Sequence, residues 1–356
     1  MRRIFNILIV LFILIIGSSC GNKTIQVGLL LYSSNDKVVN DLTKELKKNI
    51  GPEYEIIVYD AEKSQGKQNK QFIDLLENDC DIFIVNLVDR LAAKSFIEKC
   101  EQKDLPIIFF NREPLEEDID SYKKAYYVGS DGAKIGEKQA QIIANMFRNP
   151  LIMSPNYDLN QNAVIELVIL KGEHGHKLSE TIFEKCIENL NKIDFATKVL
   201  ATEYADWNRE TAKETFAKIY NDENNKNPNG SSKIELVITN DDEMSLGVID
   251  FIFENNLQLE YKGAYVMPFE IVGVNINYMS QQAINEKYIY GSVTSENDLQ
   301  AQIIIDLLDH LSLGTKLMFK YDECDAIDEI MYCKNNRFIL VSGKIVYARE
   351  DEYIIR

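Results

Sequence analysis

The sequence predicts an α/β protein of two similar lobes, each a mainly parallel sheet flanked by helices. The first observation is the stretch 81–114, where two continuous apolar runs, 82–85 and 107–110, are separated by an amphipathic helical segment. Continuous apolar runs of this length are typical of buried parallel strands, so the stretch indicates a βαβ unit. The second observation is a further alternating series after the polar connection 149–162. Two such series predict two lobes.

Strands and helices alternate along both series. Apolar runs predict strands at 25–32, 56–59, 82–85, 107–110, 126–128, 166–170, 197–201, 235–239, 270–274 and 290–293. Helical spacing of apolar residues predicts helices at 38–49, 68–77, around 92–97, from after Asp131 to about 147, and at 179–190, 211–220 and 299–311. Gly51-Pro52 is expected to stop the first helix. The Asn-rich segment 222–232 is predicted to be a surface loop, and the tail after 311 is predicted to be less regular.

Polar side chains follow the predicted strands. Asn86 and Asn111 come directly after the runs 82–85 and 107–110. In open α/β sheets the ligand crevice lies beyond the carboxyl ends of the strands, so both residues are binding candidates. The same pattern recurs in both series, which favours two lobes that face one cleft.

The N-terminus predicts export. Two Arg precede an apolar run at 4–16 and the small residues 17–19, the pattern of a signal peptide spanning 1–19. Cys20 at this junction resembles a bacterial lipobox in which Gly17 replaces the usual Leu, and the resemblance implies a lipidated Cys20 that anchors the protein to a membrane surface. A transmembrane anchor is the alternative, but the run is shorter than the ~18 residues of a span. A periplasmic or cell-surface lipoprotein is therefore expected.

The charge excludes nucleic acid as a partner. The net charge is −17, and removal of residues 1–19, which carry two Arg and no acids, takes it to −19. So acidic a protein repels nucleic acid and anionic lipid. Neutral or cationic small molecules, or a membrane protein with basic loops, are the expected partners.

Five cysteines follow Cys20, and none forms a Cys-x-x-Cys motif. Cys324 and Cys333 are close enough along the chain to form a disulfide in an exported protein. Buried free thiols are the alternative, and the sequence leaves both open.

Several motifs resemble the galactose/glucose-binding proteins of bacterial ABC transporters. They cover about residues 25–310 in matching order and spacing. The motifs are Lys67-Gln68-Asn69, Asn86-Leu87-Val88-Asp89, Phe109 to Pro114, Ala125 to Gly129, Leu170 to Glu173, Gly175-His176, Trp207 and Met244. The chain is therefore identified as a member of this family.

The resemblance implies a hinged periplasmic-binding fold of type I, in which the chain crosses between the lobes three times. The domains expected after the signal peptide are an N-terminal lobe of 24–110 plus about 297–335 and a C-terminal lobe of about 112–292 plus about 340–356. A sugar would be the ligand, an ABC permease the partner, and a chemoreceptor a further partner.

The segment 158–166 has oxygen-bearing side chains at alternate positions. Asp158, Asn160, Asn162 and Glu166 occupy positions one, three, five and nine, and the Val164 carbonyl stands at seven. This is the pattern by which a hard cation collects six or seven oxygens. In the resembling family the loop binds calcium.

A distant Glu completes the calcium shell in that family, and the matching residue is Glu235. Ala163 replaces the usual Gly at position six, where a positive φ would cost on the order of 1 kcal/mol. A polar Asn-rich turn without metal is the alternative.

The resemblance implies a sugar pocket that is partly retained. A pyranose needs planar polar groups for its hydroxyls and aromatic faces for its C–H surfaces. Asn86, His176 and Trp207 match the family. Asp241 stands where the family has Asn, and Asn275 where it has Asp.

Other pocket positions differ. The first loop offers Ser34 and Asp36 in place of the family's Asp and stacking Phe. Leu178 and Ile182 replace an Asp and an Arg, and Ser295 replaces an Asn. Losing one buried hydrogen-bonding partner costs about 1–3 kcal/mol, so a changed ligand preference is expected.

Catalysis is not expected. His174 and His176 stand two apart in a loop without a third His or Cys nearby, a weak metal pattern. Asp241 and Asp242 could form a carboxylate pair, but Asp242 is predicted to cap a helix that starts at Met244. The sequence shows no Ser-His-Asp order, phosphate loop or activated Cys.

Two functions follow from the sequence. The first is a lipid-anchored solute-binding protein that closes on a sugar and delivers it to an ABC permease, with a structural calcium. The alternative is an abundant surface lipoprotein or antigen that keeps the fold but has a changed or lost pocket. The enlarged segments 255–270 and 314–336 favour the alternative.

Overall fold

The computed structural model describes residues 24–148, 158–160, 162–192, 196–261, 264–315, 331–334 and 337–347. The predicted signal peptide, Cys20 and Cys324 lie outside these residues. Within the described ranges, no helix is both long and apolar enough to span a membrane.

The first series alternates strands and helices as predicted. Its strands are β1 (Ile25–Leu31), β2 (Tyr54–Asp60), β3 (Ile82–Val85), β4 (Ile107–Phe110) and β5 (Ala125–Ser130). Its helices are α1 (Lys37–Asn49), α2 (Gln65–Glu77), α3 (Ala93–Gln102), α4 (Glu116–Ser121) and α5 (Gly132–Arg148). The short helix α4 has no counterpart in the prediction.

The second series follows the same order. Its strands are β6 (Ile165–Lys171), β7 (Thr197–Tyr204), β8 (Leu236–Thr239), β9 (Leu259–Tyr261), β10 (Ala264–Val266), β11 (Glu270–Val274) and β12 (Gly291–Val293). Its helices are α6 (Lys177–Lys192), α7 (Arg209–Asn221), α8 (Asp242–Glu254), α9 (Tyr278–Asn285) and α10 (Asn297–Leu313). The tail adds β13 (Met331–Lys334), β14 (Phe338–Val341) and β15 (Ile345–Tyr347), so it is more regular than predicted.

The strands form two mainly parallel sheets. One has the order β13-β14-β5-β4-β3-β1-β2, and the other β15-β12-β11-β8-β6-β7. The tail strands β13 and β15 pair antiparallel with β14 and β12, while β9 and β10 form a separate antiparallel pair.

Side chains of β6 alternate between two apolar layers. Leu167 and Ile169 pack in the cluster that contains α5 and α6, whereas Val168 and Leu170 pack in the cluster that contains α7 and α8. A strand covered on both faces has no polar face, which is why its sequence reads as a continuous apolar run.

The chain divides into two compact units. The first unit contains the described parts of residues 1–110, 114–125 and 301–318, and the second those of 111–113, 126–300 and 319–356. These bounds differ from the predicted lobe limits at 114–125 and in the tail, and the predicted limits stay a prediction.

Cys80, Cys100 and Cys186 are buried free thiols. Burial raises the pKa of the Cys80 thiol to about 11 and that of Cys186 to about 12. Such thiols are inert at neutral pH.

Candidate functional site

Asn86 lies at the carboxyl end of β3 in the first unit, as predicted. Its side chain is fully buried, donates to the Phe110 carbonyl at 3.2 Å and accepts from the Tyr32 amide at 3.3 Å. The amide therefore joins the ends of three neighbouring strands. Its role in ligand binding stays a prediction.

Ser34 and Asp36 in the first loop are both paired with protein groups. The Ser34 amide donates to Asp60 at 3.1 Å and its hydroxyl donates to the same carboxylate. Burial raises the pKa of Asp60, but hydrogen bonds from Ser34 and the Glu62 amide outweigh it and hold the pKa below its usual value. Asp36 caps α1 and accepts the Tyr32 hydroxyl. Ser34 is thus held by Asp60, and its ligand contact stays a prediction.

Five of the predicted ligand residues lie along one edge of the second sheet. Parallel strands β7, β6, β8, β11 and β12 are adjacent in this order, so the residues that follow their carboxyl ends are neighbours. We call these residues the ligand edge: Trp207, His176, Asp241, Asn275 and Ser295.

His176 and Trp207 are in contact at this edge. Their rings meet edge to face with centroids 5.3 Å apart. Trp207 has a φ of 58°, and its ring packs so closely on Gly172 that a Cβ there would overlap it. The half-buried indole can therefore offer a flat apolar surface, the feature that a sugar ring needs.

Asp241 and Asn275 are also in contact. The Asn275 amide donates to Asp241 Oδ2 at 2.6 Å, and Asp241 Oδ1 accepts from the Glu243 amide at 2.8 Å. Asp241 is only 5% exposed, and burial raises its pKa to about 8 although the hydrogen bonds from Asn275 and Glu243 oppose this. Asp and Asn stand in the reverse order to that of the resembling family, and the two side chains are still hydrogen-bonded to each other.

The cap of α8 corrects the sequence prediction. Asp241, and not Asp242, is the N-cap, and the helix begins at Asp242 instead of Met244. Either carboxylate of an Asp-Asp pair can cap a helix, so the sequence did not decide between them.

Asp242 is fully buried beneath the ligand edge. Its Oδ1 accepts the Ser292 hydroxyl at 3.0 Å, and a Cβ on Gly273 would overlap this oxygen. Burial raises its pKa to about 7, opposed by hydrogen bonds from Ser280 and Ser292. A carboxyl enclosed by the fold cannot reach a ligand, which argues against a catalytic pair.

Ser295 begins the turn into α10. Its hydroxyl donates to Asn297 Oδ1 at 3.0 Å, and its carbonyl accepts from Gln300 at 2.7 Å. These bonds fix the helix start, and the ligand role of Ser295 stays a prediction.

Leu178 and Ile182 pack into the apolar cluster between α5 and α6. Ile182 is 1% exposed, and its carbonyl lies where a Cβ on Gly136 would overlap it. Leu178 is half-buried against the same cluster. The two family positions therefore contribute to helix packing here.

A charged cluster that was not predicted from the sequence lies beside the ligand edge. Lys171, only 8% exposed, donates to Glu180 at 2.6 Å, and the Tyr204 hydroxyl donates to the same carboxylate at 2.9 Å. The Tyr204 ring also lies 4.8 Å from that of His174. The two histidines thus pack against different aromatic rings, which does not favour the weak metal pair. The sequence signal for this cluster was Lys171, a charged residue directly after the predicted strand 166–170.

The predicted cation loop lies at the opposite edge of the second sheet, where β6, β7 and β8 begin. Asp158 accepts the amides of Asn162 at 3.0 Å and Ala163 at 2.8 Å. Ala163 has the positive φ, 59°, that its position was expected to need. The loop backbone is therefore folded around the first carboxylate.

Glu235 joins the loop, as the resemblance implied. Its two oxygens accept the Asn160 amide at 3.1 Å and the Glu166 amide at 2.9 Å. Burial raises the pKa of Glu235, opposed by these backbone hydrogen bonds. The all-oxygen donor set and the loop conformation fit a hard cation. However, within the described part of the chain no three His, Cys, Asp or Glu side chains form a ready metal-binding group.

Comparison with known proteins identifies the class. Residues 27–316 match the family described as periplasmic binding protein domain, so the chain belongs to the periplasmic binding proteins. Membership implies an exported, periplasmic protein. The lipoprotein form stays a prediction.

Individual relatives agree. A D-galactose/methyl-galactoside binding periplasmic protein, MglB, of Haemophilus influenzae is 28% identical over 291 residues, which cover 81% of this chain and 82% of that protein. An ABC transporter solute-binding protein of Actinobacillus succinogenes with bound D-allose has a TM-score of 0.68 at 16% identity, covering 91% of this chain and 97% of that one. A Caulobacter myo-inositol binding protein has a TM-score of 0.67 at 14% identity, covering 91% and 93%.

These findings confirm the predicted fold class and family. The structural similarities establish the two-lobed α/β fold of type I. The relatives are binding proteins by name, and the chain is accordingly a binding protein and not an enzyme.

Proposed function

We propose that the protein binds a neutral sugar related to galactose or glucose as the solute-binding component of an ABC transporter. The observation that carries the proposal is the ligand edge, where a carboxyl–amide pair and an aromatic pair follow adjacent strands. The name of the Haemophilus relative supports a galactose-like ligand.

The residues of the ligand edge suit a sugar. Asp241 and Asn275 form a planar polar pair that can accept from and donate to neighbouring hydroxyls. Trp207, held at a fixed angle by Gly172 and His176, offers a face for the C–H side of the ring.

A neutral ligand is expected because the Asp241–Asn275 pair supplies no positive charge. Burial already raises the pKa of Asp241 to about 8, and an anionic ligand beside it would lose its hydration in the same way. Leu178 and Ile182 supply none of the polar contacts of their family counterparts, so the ligand preference is expected to differ from that of the family.

The surface-antigen alternative is not favoured. A chain that has lost its ligand would not need to keep Asp241 bonded to Asn275 or Trp207 packed on His176. Both pairs are in place although two of the four residue types have been exchanged.

Delivery and anchoring complete the proposal. The ligand-bound form would be recognised by an ABC permease, and the chemoreceptor and the hinge closure implied by the resemblance remain secondary predictions.

Cys20 would carry the lipid after removal of residues 1–19. Replacement of Cys20 by Ser is expected to move the protein from the membrane fraction to the soluble fraction, and a variant that stays membrane-bound would contradict the anchor.

Calcium is proposed as a structural ion at the cation loop. Asp158, Asn160, Asn162, Glu166 and Glu235 would hold it with side-chain oxygens, and Val164 with its carbonyl. When bound, calcium would neutralise the carboxylates and fix the loop to the starts of β6 and β8.

Isothermal titration calorimetry with galactose, glucose and galacturonate tests the binding proposal. We expect binding of a neutral sugar and at least about tenfold weaker binding of galacturonate, equivalent to about 1.4 kcal/mol. Absence of heat with both neutral sugars, in a protein that melts cooperatively, would contradict a galactose-like ligand.

Three variants refine this titration. Asp241→Asn should weaken sugar binding by about tenfold, because both Asp241 oxygens accept hydrogen bonds and an amide nitrogen in place of one of them cannot. The double variant Asp241→Asn with Asn275→Asp should recover part of the loss. Asp222→Asn, a change to an exposed capping Asp in the loop after α7, is the matched control and should bind as the wild type does.

A further inference from the structure

Lys198 lies directly opposite Glu166 across the start of the second sheet. The two residues are register partners in the parallel pair β6–β7. The Lys198 ammonium donates to Glu166 Oε1 at 2.8 Å. The Glu166 side chain is 5% exposed, whereas that of Lys198 is 56% exposed.

The second oxygen of Glu166 is held by the loop itself. Glu166 Oε2 accepts from the side-chain Nδ2 of Asn160 at 2.8 Å, and Asn160 Oδ1 in turn accepts from the side chain of Asn227 at 2.8 Å. Both oxygens of this buried loop carboxylate therefore have partners from the protein.

One cation at a time can neutralise Glu166. The carboxylates of Asp158, Glu166 and Glu235 are joined by hydrogen bonds through the loop, so together they need positive charge nearby. Lys198 supplies one such charge. A divalent ion placed against the same Glu166 oxygen would repel the ammonium, which can leave because its side chain reaches solvent.

We propose that Lys198 and calcium are alternative cations for Glu166. Lys198 lowers the affinity of the loop for calcium and holds the start of β6 against β7 when calcium is scarce. This inference rests on the proposed calcium site, and it predicts a loop that stays folded without metal.

The test is Lys198→Met, which keeps the length of the aliphatic chain and removes the charge. Lys198→Arg keeps the charge and is expected to behave as the wild type does. Lys44→Met in α1 removes a lysine that is 65% exposed from an ion pair of the first unit and is the matched control. Calcium affinity is measured by isothermal titration calorimetry, and melting temperature is measured with calcium and with a chelator.

We expect Lys198→Met to bind calcium about 5- to 10-fold more tightly than the wild type, within the range usual for coupled ligands. In chelator it should melt roughly 2–4 °C lower than the wild type, as expected for the loss of one exposed ion pair from a unit of this size. Chelation should lower the melting temperature of the wild type less than that of Lys198→Met, and Lys44→Met should match the wild type.

Equal calcium affinity in the wild type and Lys198→Met would overturn the competition while leaving the calcium site standing. No calcium binding in either protein would overturn both the competition and the calcium site. The sugar titration is a separate readout, so neither failure would be mistaken for loss of sugar binding.

Discussion

At the two edges of the second sheet, buried carboxylates have different kinds of partner. At the edge where β6 begins, Glu166 is paired with the ammonium of Lys198. At the ligand edge, where the strands end, the partners of Asp241 and Asp242 among the described residues are amides and hydroxyls, and burial raises their pKa values to about 8 and about 7. Without a cationic partner there, the protonated forms of these two aspartates are favoured.

The difference has a functional meaning. Asp241 has no cationic partner among the described residues, which costs stability, and the lone pairs that Asn275 and Glu243 leave free can accept from a ligand. Both oxygens of Glu166 are bonded to Lys198 and Asn160. A ligand with several hydroxyls can therefore offset part of the free-energy cost of burying Asp241 at the ligand edge. At the opposite edge, Glu166 stabilises the fold.

The largest expected effect concerns Asp242. Its pKa is about 7 in the folded protein, against about 3.9 in an unfolded chain. The folded state therefore keeps a proton that the unfolded state releases, so the stability that this carboxyl contributes is complete below about pH 4 and is lost as the pH rises through about 7. The loss has an upper limit of about 4 kcal/mol.

Asp242→Asn removes this titration. Relative to the wild type, the variant should gain stability steadily between pH 5 and pH 7 in thermal melts and level off above pH 7. Parallel profiles for the two proteins would show that Asp242 is ionised in the folded state at all these pH values, and the contrast between the two edges would fail.

Glu166→Gln is the matched change at the other edge and should have a smaller effect. Removing this carboxylate leaves Lys198 without its partner, but the lysine is exposed, so a loss of about 1 kcal/mol is expected. A loss as large as that of a core cavity, about 3 kcal/mol or more, would mean that Lys198 is less able to reach solvent than its exposure indicates.

Much of the sheet architecture was predictable. The strand at 270–274 has the same bounds in prediction and structure, and β3 and β4 likewise match their apolar runs. Strands buried on both faces carry this signal along their whole length. The polar residues after them located the ligand edge for the same reason.

The remainder depends on contacts between distant parts of the chain. The tail strand β14 pairs with β5, some 200 positions earlier, and its four residues carry no distinctive pattern alone. The pairing of Lys198 with Glu166 depends on the register of β6 and β7, which contains an irregularity between Leu167 and Val168. Neither register nor long-range pairing can be read from one sequence.

The most direct test of the account uses the single tryptophan. Trp207 packs on Gly172 and His176 at the ligand edge, so a bound sugar should change its emission. Emission is followed while galactose, then glucose, is added to the protein, with calcium and after chelation. We predict a saturable change at micromolar sugar that survives chelation and is weaker in Asp241→Asn. An emission that stays constant for both sugars, in a protein with a cooperative melt, would contradict sugar binding at this edge.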